Sequence, residues 1–282
     1  MSQQASHMIA LPMTMSNGLQ TRVLDSGGDK AALILVHGLA NSLEIWQRVY
    51  PILAEDFRVI AFDLPGFGQA SRPDSAYDGP FFGAQIASLM DTLKIERAYL
   101  AGYSMGASAI LHFSKNQQHR IKRAILAAPG GFGRRVHPLM LLPAMPFVGK
   151  WLGRPTPLNN QTTLRLAIHD AGNVTSALVE TTNAHALIAG SAMSFHRALI
   201  SGVGLLGARH MPETAALARN LKPKCLVLWG KQDRVFPPDN AEHALAFLPN
   251  ARLELLDACG HYPQWEQPQV FIQAVRSFLK EE

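Results

Sequence analysis

An α/β fold with a mostly parallel sheet is expected from this 282-residue sequence on three grounds. Short apolar runs rich in β-branched residues recur, each bounded by Gly, Pro or Asp, as in strands buried on both faces. Between them lie segments with the apolar spacing of helices, and strand–helix alternation of this kind builds a doubly wound sheet. The composition is 48% hydrophobic and 17% charged, against about 25% charged in an ordinary soluble chain, so there is ample material for a core.

Taken in order, Leu19–Asp25 reads as an additional strand at the sheet edge. Ala32–Val36 is a continuous apolar run stopped by His37-Gly38, and Ile45–Ala54 has helical spacing. Arg58–Phe62 is a strand closed by Asp63-Leu64-Pro65-Gly66, and Gly83–Leu93 is a helix. Strand Ala98–Ala101 runs into Gly102 and is followed by helix Met105–Lys115 and strand Arg123–Ala127. The alternation then fails over 132–220, where helical segments are separated by Pro and Gly breaks. It resumes with strand Cys225–Trp229, helix Ala241–Leu248, strand Arg252–Leu256 and helix Val270–Leu279. The economical organisation is a core of residues 1–131 and 221–282, with a helical insertion of 132–220 lying over the sheet.

Several function classes are excluded by composition. Two cysteines, Cys225 and Cys259, cannot build a disulfide scaffold or a multi-cysteine metal site, and free thiols are expected. The net charge is +5 with a pI near 9.4, but the basic residues are scattered in small groups such as Arg120, Lys122, Arg123 and Arg134, Arg135. That is no nucleic-acid surface. No apolar stretch approaches the ~18 residues of a membrane span, and His137–Gly153, though rich in Leu, Met, Phe and Trp, is broken by Pro138, Pro143 and Pro146. Met1–Leu11 lacks the charged, apolar and small-residue regions of a secretory signal, so a cytoplasmic location is expected.

The chemistry starts at Gly102-Tyr103-Ser104-Met105-Gly106, a G-x-S-x-G run placed between a strand and a helix. A sharp strand-to-helix turn exposes the serine hydroxyl at a helix N-terminus, and the glycines let backbones approach closely. A serine is a poor nucleophile at neutral pH unless a base takes its proton and an acid holds the base. Asp233, after strand Cys225–Trp229, and His261, after strand Arg252–Leu256, complete a Ser104, Asp233, His261 triad in the chain order that suits such a sheet. The backbone N–H groups of Leu39 and Met105 are the expected oxyanion donors. His37 is expected to stabilise its turn, Cys259 to be a buried inert thiol, and Asp63 to hydrogen-bond its own Pro-Gly turn rather than act as a rival triad acid. Asp170, with no strand end behind it, is expected to be structural. The stretch Met140–Trp151 either lines an acyl pocket or packs the insertion onto the core.

These residues make the chain similar to the α/β-hydrolase family: His37-Gly38, Asp63-Leu64-Pro65-Gly66-Phe67-Gly68, the Ser104 turn, Trp229-Gly230-Lys231-Gln232-Asp233 and Gly260-His261. The resemblance implies an eight-stranded, mostly parallel sheet with a helical cap inserted after the sixth strand. Within the family the chain looks most like capped carboxylesterases and monoacylglycerol-lipase-like enzymes. Ester hydrolysis through an acyl-enzyme, with no cofactor and no metal, is then the expected reaction. Small to medium apolar acyl groups are the expected substrates. Tyr103, Trp265, Met140 and Phe147 are expected to contact substrate, weak contact with a lipid surface is expected through the cap, and the chain is expected to be a monomer or dimer.

An alternative is carbon–carbon bond hydrolysis of ring-cleavage products, because Cys259-Gly260-His261-Tyr262-Pro263-Gln264-Trp265-Glu266 is similar to the C-G-H-x-x-Q-W-E run of those enzymes. Against it, Tyr262 stands where they usually carry Trp, and Tyr103 where they usually carry Asn. Only Arg165 and Arg197 offer themselves as the cap arginine that holds their carboxylate. A catalytically silent ligand-binding protein on the same fold is a further alternative, disfavoured because the triad and both turn glycines are intact.

Overall fold

The computed structural model describes residues 9–133, 135–145, 147 and 149–281. Residues 1–8, Arg134 and Pro146, on which parts of the signal-peptide, basic-group and proline readings rest, lie outside these. Eight strands form one sheet: β1 (Leu11–Thr14), β2 (Gln20–Asp25), β3 (Ala32–Val36), β4 (Arg58–Phe62), β5 (Ala98–Tyr103), β6 (Ile121–Ala127), β7 (Cys225–Gly230) and β8 (Ala251–Leu256). Their order is β1-β2-β4-β3-β5-β6-β7-β8. All neighbours are parallel except the β1–β2 and β2–β4 pairs. This is the α/β-hydrolase arrangement expected from the sequence. One placement differs. The Leu19–Asp25 strand is not the edge, because Leu11–Thr14 pairs outside it, with Leu11 opposite Val23. Leu11–Thr14 is short, largely exposed and contains Pro12, the signature of an edge strand rather than a core run.

Strand periodicity explains why both faces are covered. Ile34, Val36, Ile60, Phe62, Leu100, Leu126, Val227 and Trp229 point to one hydrophobic cluster, and Leu33, Leu35, Val59, Ala61, Ala101, Ile125, Leu226 and Leu228 to the other. Each central strand therefore reads as a continuous apolar run, with successive side chains buried on opposite sides. Helices α1 (Gly79–Thr92), α2 (Met105–Gln117), α6 (Met211–Arg219) and α7 (Asp239–Phe247) cover the first face, and α8 (Pro268–Lys280) the second. Helices α3 (Pro157–Ala167), α4 (Ser176–Ala186) and α5 (Ser191–Gly202) complete the numbering.

Helix boundaries follow local chemistry. The Asp78 side chain accepts from Phe81 N at 2.9 Å and, with Pro80 behind it, starts α1 four residues ahead of the apolar pattern at Gly83. The expected single helix Ile45–Ala54 is instead two short turns, Leu43–Trp46 and Tyr50–Leu53. Pro51 supplies no N–H and occupies the first turn of the second piece, where none is needed.

Between β6 and β7 the chain leaves the sheet. Among the described residues, the regular elements of this segment are helical apart from a two-residue ladder, Val203–Gly204 with Ala208–Gly207. Its last helix, α6, packs on α2 and places Leu217 and Ala218 in the sheet-side core. The apolar face of α6 thus meets α2 and α7 beside the sheet.

Asp63, just past the end of β4, ties three segments of the chain together. Its side chain is fully buried and accepts from Arg22 Nε at 2.9 Å, Leu43 N at 2.9 Å and Gln69 N at 2.9 Å. Truncation leaves two amides without their acceptor and a partly buried guanidinium with Glu44 as its remaining carboxylate. Asp63→Ala is therefore expected to lower stability by about 3–5 kcal/mol. Asp170→Ala, which removes only an acceptor for Gly172 N in an exposed turn, is expected to cost about 1 kcal/mol. Urea unfolding of the two variants beside the wild type checks the contrast, and equal midpoints would refute it.

Candidate active site

Ser104 sits at the end of β5 with φ 53° and ψ −116°, outside the regions that L-residues favour. Its N–H donates to Ala127 O on the neighbouring strand at 2.8 Å, which anchors the turn. The flanking glycines are required by contact. A Cβ at Gly102 would lie 2.5 Å from Gly106 O, and one at Gly106 would lie 2.2 Å from Val36 O. Helix α2 begins immediately after the serine, so the N–H of Met105 has no intrahelical acceptor.

The loops after β7 and β8 bring the other two groups to it. His261 Nε2 lies 3.0 Å from Ser104 Oγ, and His261 Nδ1 lies 2.7 Å from Asp233 Oδ2. A carboxylate only accepts, so Nδ1 carries the proton and Nε2 is left to accept from the serine hydroxyl. Asp233 keeps one oxygen for this because the other is occupied: Oδ1 accepts from Val235 N at 2.8 Å and Phe236 N at 2.9 Å. It does not cap α7, whose N-cap is Pro238. All three residues are buried. Such a chain of hydrogen bonds can move the serine proton to the imidazole and stabilise the resulting cation. Neither rival acid approaches it: Asp63 is committed to Arg22, Leu43 and Gln69, and Asp170 to its own turn.

The loop after β3 lies beside the serine. His37 is fully buried, its Nε2 accepts from Leu64 N at 2.9 Å, and its Nδ1 therefore donates to Gly38 O at 2.8 Å. Burial pushes its pKa down, in keeping with a neutral ring that holds two turns together. Asn41 Nδ2 donates to Leu39 O at 3.0 Å and to Tyr262 Oη at 3.2 Å. Leu39 and Met105 both line the cavity above Ser104.

That cavity has a volume of about 350 Å³. Its floor is Ser104, His261, Tyr103 and Tyr262, and the inserted segment roofs it with Met140, Leu164 and Phe195. Ser108 and His112, one and two turns beyond the serine on α2, carry it away from the triad. Two arginines reach it, Arg154 and Arg209, both exposed. Burial pushes the phenols of Tyr103 and Tyr262 upward, so both stay protonated donors. Cys259 is buried, and burial raises its thiol well above the ordinary value, as suits an inert side chain.

Of the residues expected to contact substrate, Tyr103 and Met140 line the cavity, and Trp265 and Phe147 do not. Trp265 is buried behind the histidine loop, donating from Nε1 to Asn173 O at 2.8 Å beneath the Arg48 guanidinium. Phe147 is 98% exposed on the outer surface of the insertion. Arg165 is exposed and Arg197 pairs with Asp74, and neither lines the cavity. Three residues at the site carried no sequence expectation of a role there. Asn41 has no local signal at all. Tyr262 and Glu266 lie within the run after Cys259, and only their neighbours in space show what they do.

A sequence profile of the family described as "alpha/beta hydrolase fold" matches residues 31–268. The chain is 28% identical over 262 residues to a 2-hydroxy-6-oxononadienedioate/2-hydroxy-6-oxononatrienedioate hydrolase from Comamonas testosteroni, covering 91% of this chain and 90% of that one. It is 27% identical over 265 residues to a 2-hydroxy-6-oxo-6-phenylhexa-2,4-dienoate hydrolase from Burkholderia cepacia, with 91% and 90% covered. Among solved structures, a mutant meta-cleavage product hydrolase from Pseudomonas fluorescens IP01 complexed with acetates superposes with a TM-score of 0.80 at 25% identity, covering 96% and 98% of the two chains. The profile match, the sheet order and the serine turn between β5 and α2 together show that this chain belongs to the α/β-hydrolase family.

Proposed function

We propose that this hydrolase cleaves a carbon–carbon bond next to a ketone in a 2-hydroxy-6-oxo-dienoate-type acid, with Ser104 as nucleophile, His261 as base and Asp233 as its orienting acid. The observation that carries the reading is the assembled Ser104–His261–Asp233 chain beneath a roofed cavity, in a chain whose relatives of nearly equal length bear names of this activity. In the first step His261 takes the hydroxyl proton while Ser104 Oγ attacks the ketone. The N–H groups of Leu39 and Met105 hold the oxyanion, a contribution of about 3–4 kcal/mol for each donor. With the substrate as its 2,6-dioxo tautomer, the carbon–carbon bond then breaks, its electron pair delocalises through the departing fragment onto the 2-oxo oxygen, and His261 returns the proton to that dienolate. Water, activated by the same imidazole, releases the acid from the serine. In this reading the insertion from 132 onward is a cap. Arg209 and Arg154, the cations on the cavity wall, are the groups available to the substrate carboxylate.

Ester hydrolysis is the second reading, and the cavity wall favours it: among the described residues, no buried cation faces the cavity. A carboxylate is expensive to desolvate without one, whereas an ester asks only for the triad, the oxyanion donors and an apolar wall. The two reactions share the triad and the oxyanion donors but differ in the leaving atom and in the need for a carboxylate partner.

A panel containing 2-hydroxy-6-oxo-6-phenylhexa-2,4-dienoate, followed by loss of its dienolate absorbance, and p-nitrophenyl esters of two to sixteen carbons separates them. The expected outcome is turnover of the dienoate exceeding that of any ester, with Ser104→Ala and His261→Ala each lowering it by about 10³-fold or more. Ser104-dependent ester turnover with an inert dienoate would establish the second reading. Arg209→Ala is expected to raise KM for the dienoate by about tenfold, as one charge-assisted contact is lost. An unchanged KM would remove Arg209 from that role.

The outer face of the cap suits the ester reading further. Phe147 and Trp151 are 98% and 69% exposed, next to Leu142, Leu152 and the cations Lys150 and Arg154, and Leu142 and Leu152 also line the cavity. An apolar tip with basic neighbours is suited to an anionic lipid surface. Sedimentation with phosphatidylglycerol vesicles is expected to retain the wild-type chain and to lose the Phe147→Ser, Trp151→Ser double variant. Equal retention of both would refute the contact.

A further inference from the structure

Glu266 is a buried carboxylate for which the triad chemistry has no use. It is 6% exposed and, among the described residues, pairs with no cation. Every bond it makes is to a backbone amide. Gly260 N reaches Oε1 and Oε2 at 3.0 Å each, Tyr262 N reaches Oε1 at 3.0 Å, and His169 N reaches Oε2 at 2.6 Å. Two of these donors flank His261 in sequence. The third belongs to the cap. The amide between them, that of His261 itself, donates to Ala167 O at 2.7 Å, again in the cap. Three consecutive amides of the histidine loop are thus fixed, two by Glu266 and one by the segment that Glu266 holds in place.

The adjacent residues repeat the pattern. Arg48 Nη1 donates to Trp265 O at 2.6 Å and to Asn173 Oδ1 at 2.6 Å, with its guanidinium 4.1 Å from the Trp265 ring centre. Gly260 permits the close approach, since a Cβ there would lie 2.4 Å from Ala167 O and 2.9 Å from His169 N. The cap segment 167–173 is therefore not a lid resting on the histidine loop. It is bonded into it.

We propose that Glu266 is a positioning residue for His261: by gathering the amides of Gly260, Tyr262 and His169 on one carboxylate, it sets the imidazole between Asp233 and Ser104 and makes the cap segment 167–173 part of that setting. Burial works against the ionised form, and the converging amides work for it. Only an ionised carboxylate offers acceptors to all the donors. A protonated one would turn an O–H toward amides that cannot accept it. Glutamine replaces one acceptor oxygen by an NH2, which must face an N–H on either the loop side or the cap side. Aspartate keeps the charge and both oxygens, one methylene further back.

The inference rests on Ser104 being the nucleophile, and the test keeps the two apart by reading the triad without any assumption about substrate. Inactivation by a fluorophosphonate probe gives kinact, which reports the serine's activation, and KI, which reports access to the cavity. For Glu266→Gln the expected result is a kinact at least tenfold below wild type with KI within twofold. Glu266→Asp is expected to recover part of the loss. A folded Glu266→Gln chain with wild-type kinact would overturn the proposal, and so would a change confined to KI. Should Glu266→Gln fail to fold by near-UV circular dichroism, Glu266→Asp decides alone: a lowered kinact supports the proposal and a wild-type value overturns it. A wild-type chain that is not labelled at all would overturn the serine reading first, and this one with it.

Discussion

The constraint on which the rest depends is the backbone of Ser104. A non-glycine residue held at φ 53° and ψ −116° costs on the order of 1–3 kcal/mol, and it persists only where its surroundings leave no alternative. Here strand β5 is paired on both sides, Ala127 O holds the serine amide, and α2 departs so close to the sheet that Gly106 touches the carbonyls of Val36 and His37. The same crowding places the loop after β3 against the serine. The strained turn and the pair of candidate oxyanion amides are therefore one construction. Its foundation is the pair of apolar clusters on the two faces of the sheet, which keep β3, β5 and β6 in register.

Around that fixed point the parallel sheet distributes the remaining groups. The parallel strands β3 to β8 all end at the same edge, so the loops after β7 and β8, far from Ser104 in sequence, deliver Asp233 and His261 within hydrogen-bond reach. Local chemistry then orients them. Asp233 folds its loop around one oxygen and offers the other to the imidazole. His261 has its backbone held by the inserted segment and by the amide cluster on Glu266. The site thus depends on contacts from both the core and the insertion, and the segment 167–173 is as much a structural element of the histidine loop as a roof.

The chemistry of the cavity wall, rather than the triad, divides the candidate reactions. A hydrogen-bonded Ser104–His261–Asp233 chain can activate a serine for any accessible carbonyl. A dienoate needs a counter-ion for its carboxylate, and the cations present, Arg154 and Arg209, stand exposed on the cavity wall. The deep part of the wall offers neutral groups instead, including the paired phenols of Tyr103 and Tyr262, whose ring centres are 5.0 Å apart. Relatives of similar length bear the names of 2-hydroxy-6-oxo-dienoate hydrolases, while the wall of this cavity is compatible with an uncharged ester. The difference is one of side chains at the periphery of a common catalytic centre.

Much of this was determined by the sequence alone. Continuous apolar runs ended by Gly, Pro or Asp specify buried parallel strands because each residue is apolar whichever face it meets, and G-x-S-x-G between a run and a helix specifies its turn because only glycine tolerates the contacts at 102 and 106. The placement of Asp233 and His261 beside Ser104 was legible for the same reason: they stand just past strand ends, where the sheet collects its loops. What only the tertiary structure decided depends on contacts between segments distant in the chain. Leu11–Thr14 becomes a strand because β2 offers it an edge, and Ile45–Ala54 splits because Pro51 and the Asp63–Leu43 bond favour two turns. Phe147 and Trp265 share the apolar character of cavity residues, yet packing sends one outward to solvent and the other behind the histidine loop. The role of Glu266 was invisible because its partners are backbone amides, which every residue carries and no sequence pattern marks.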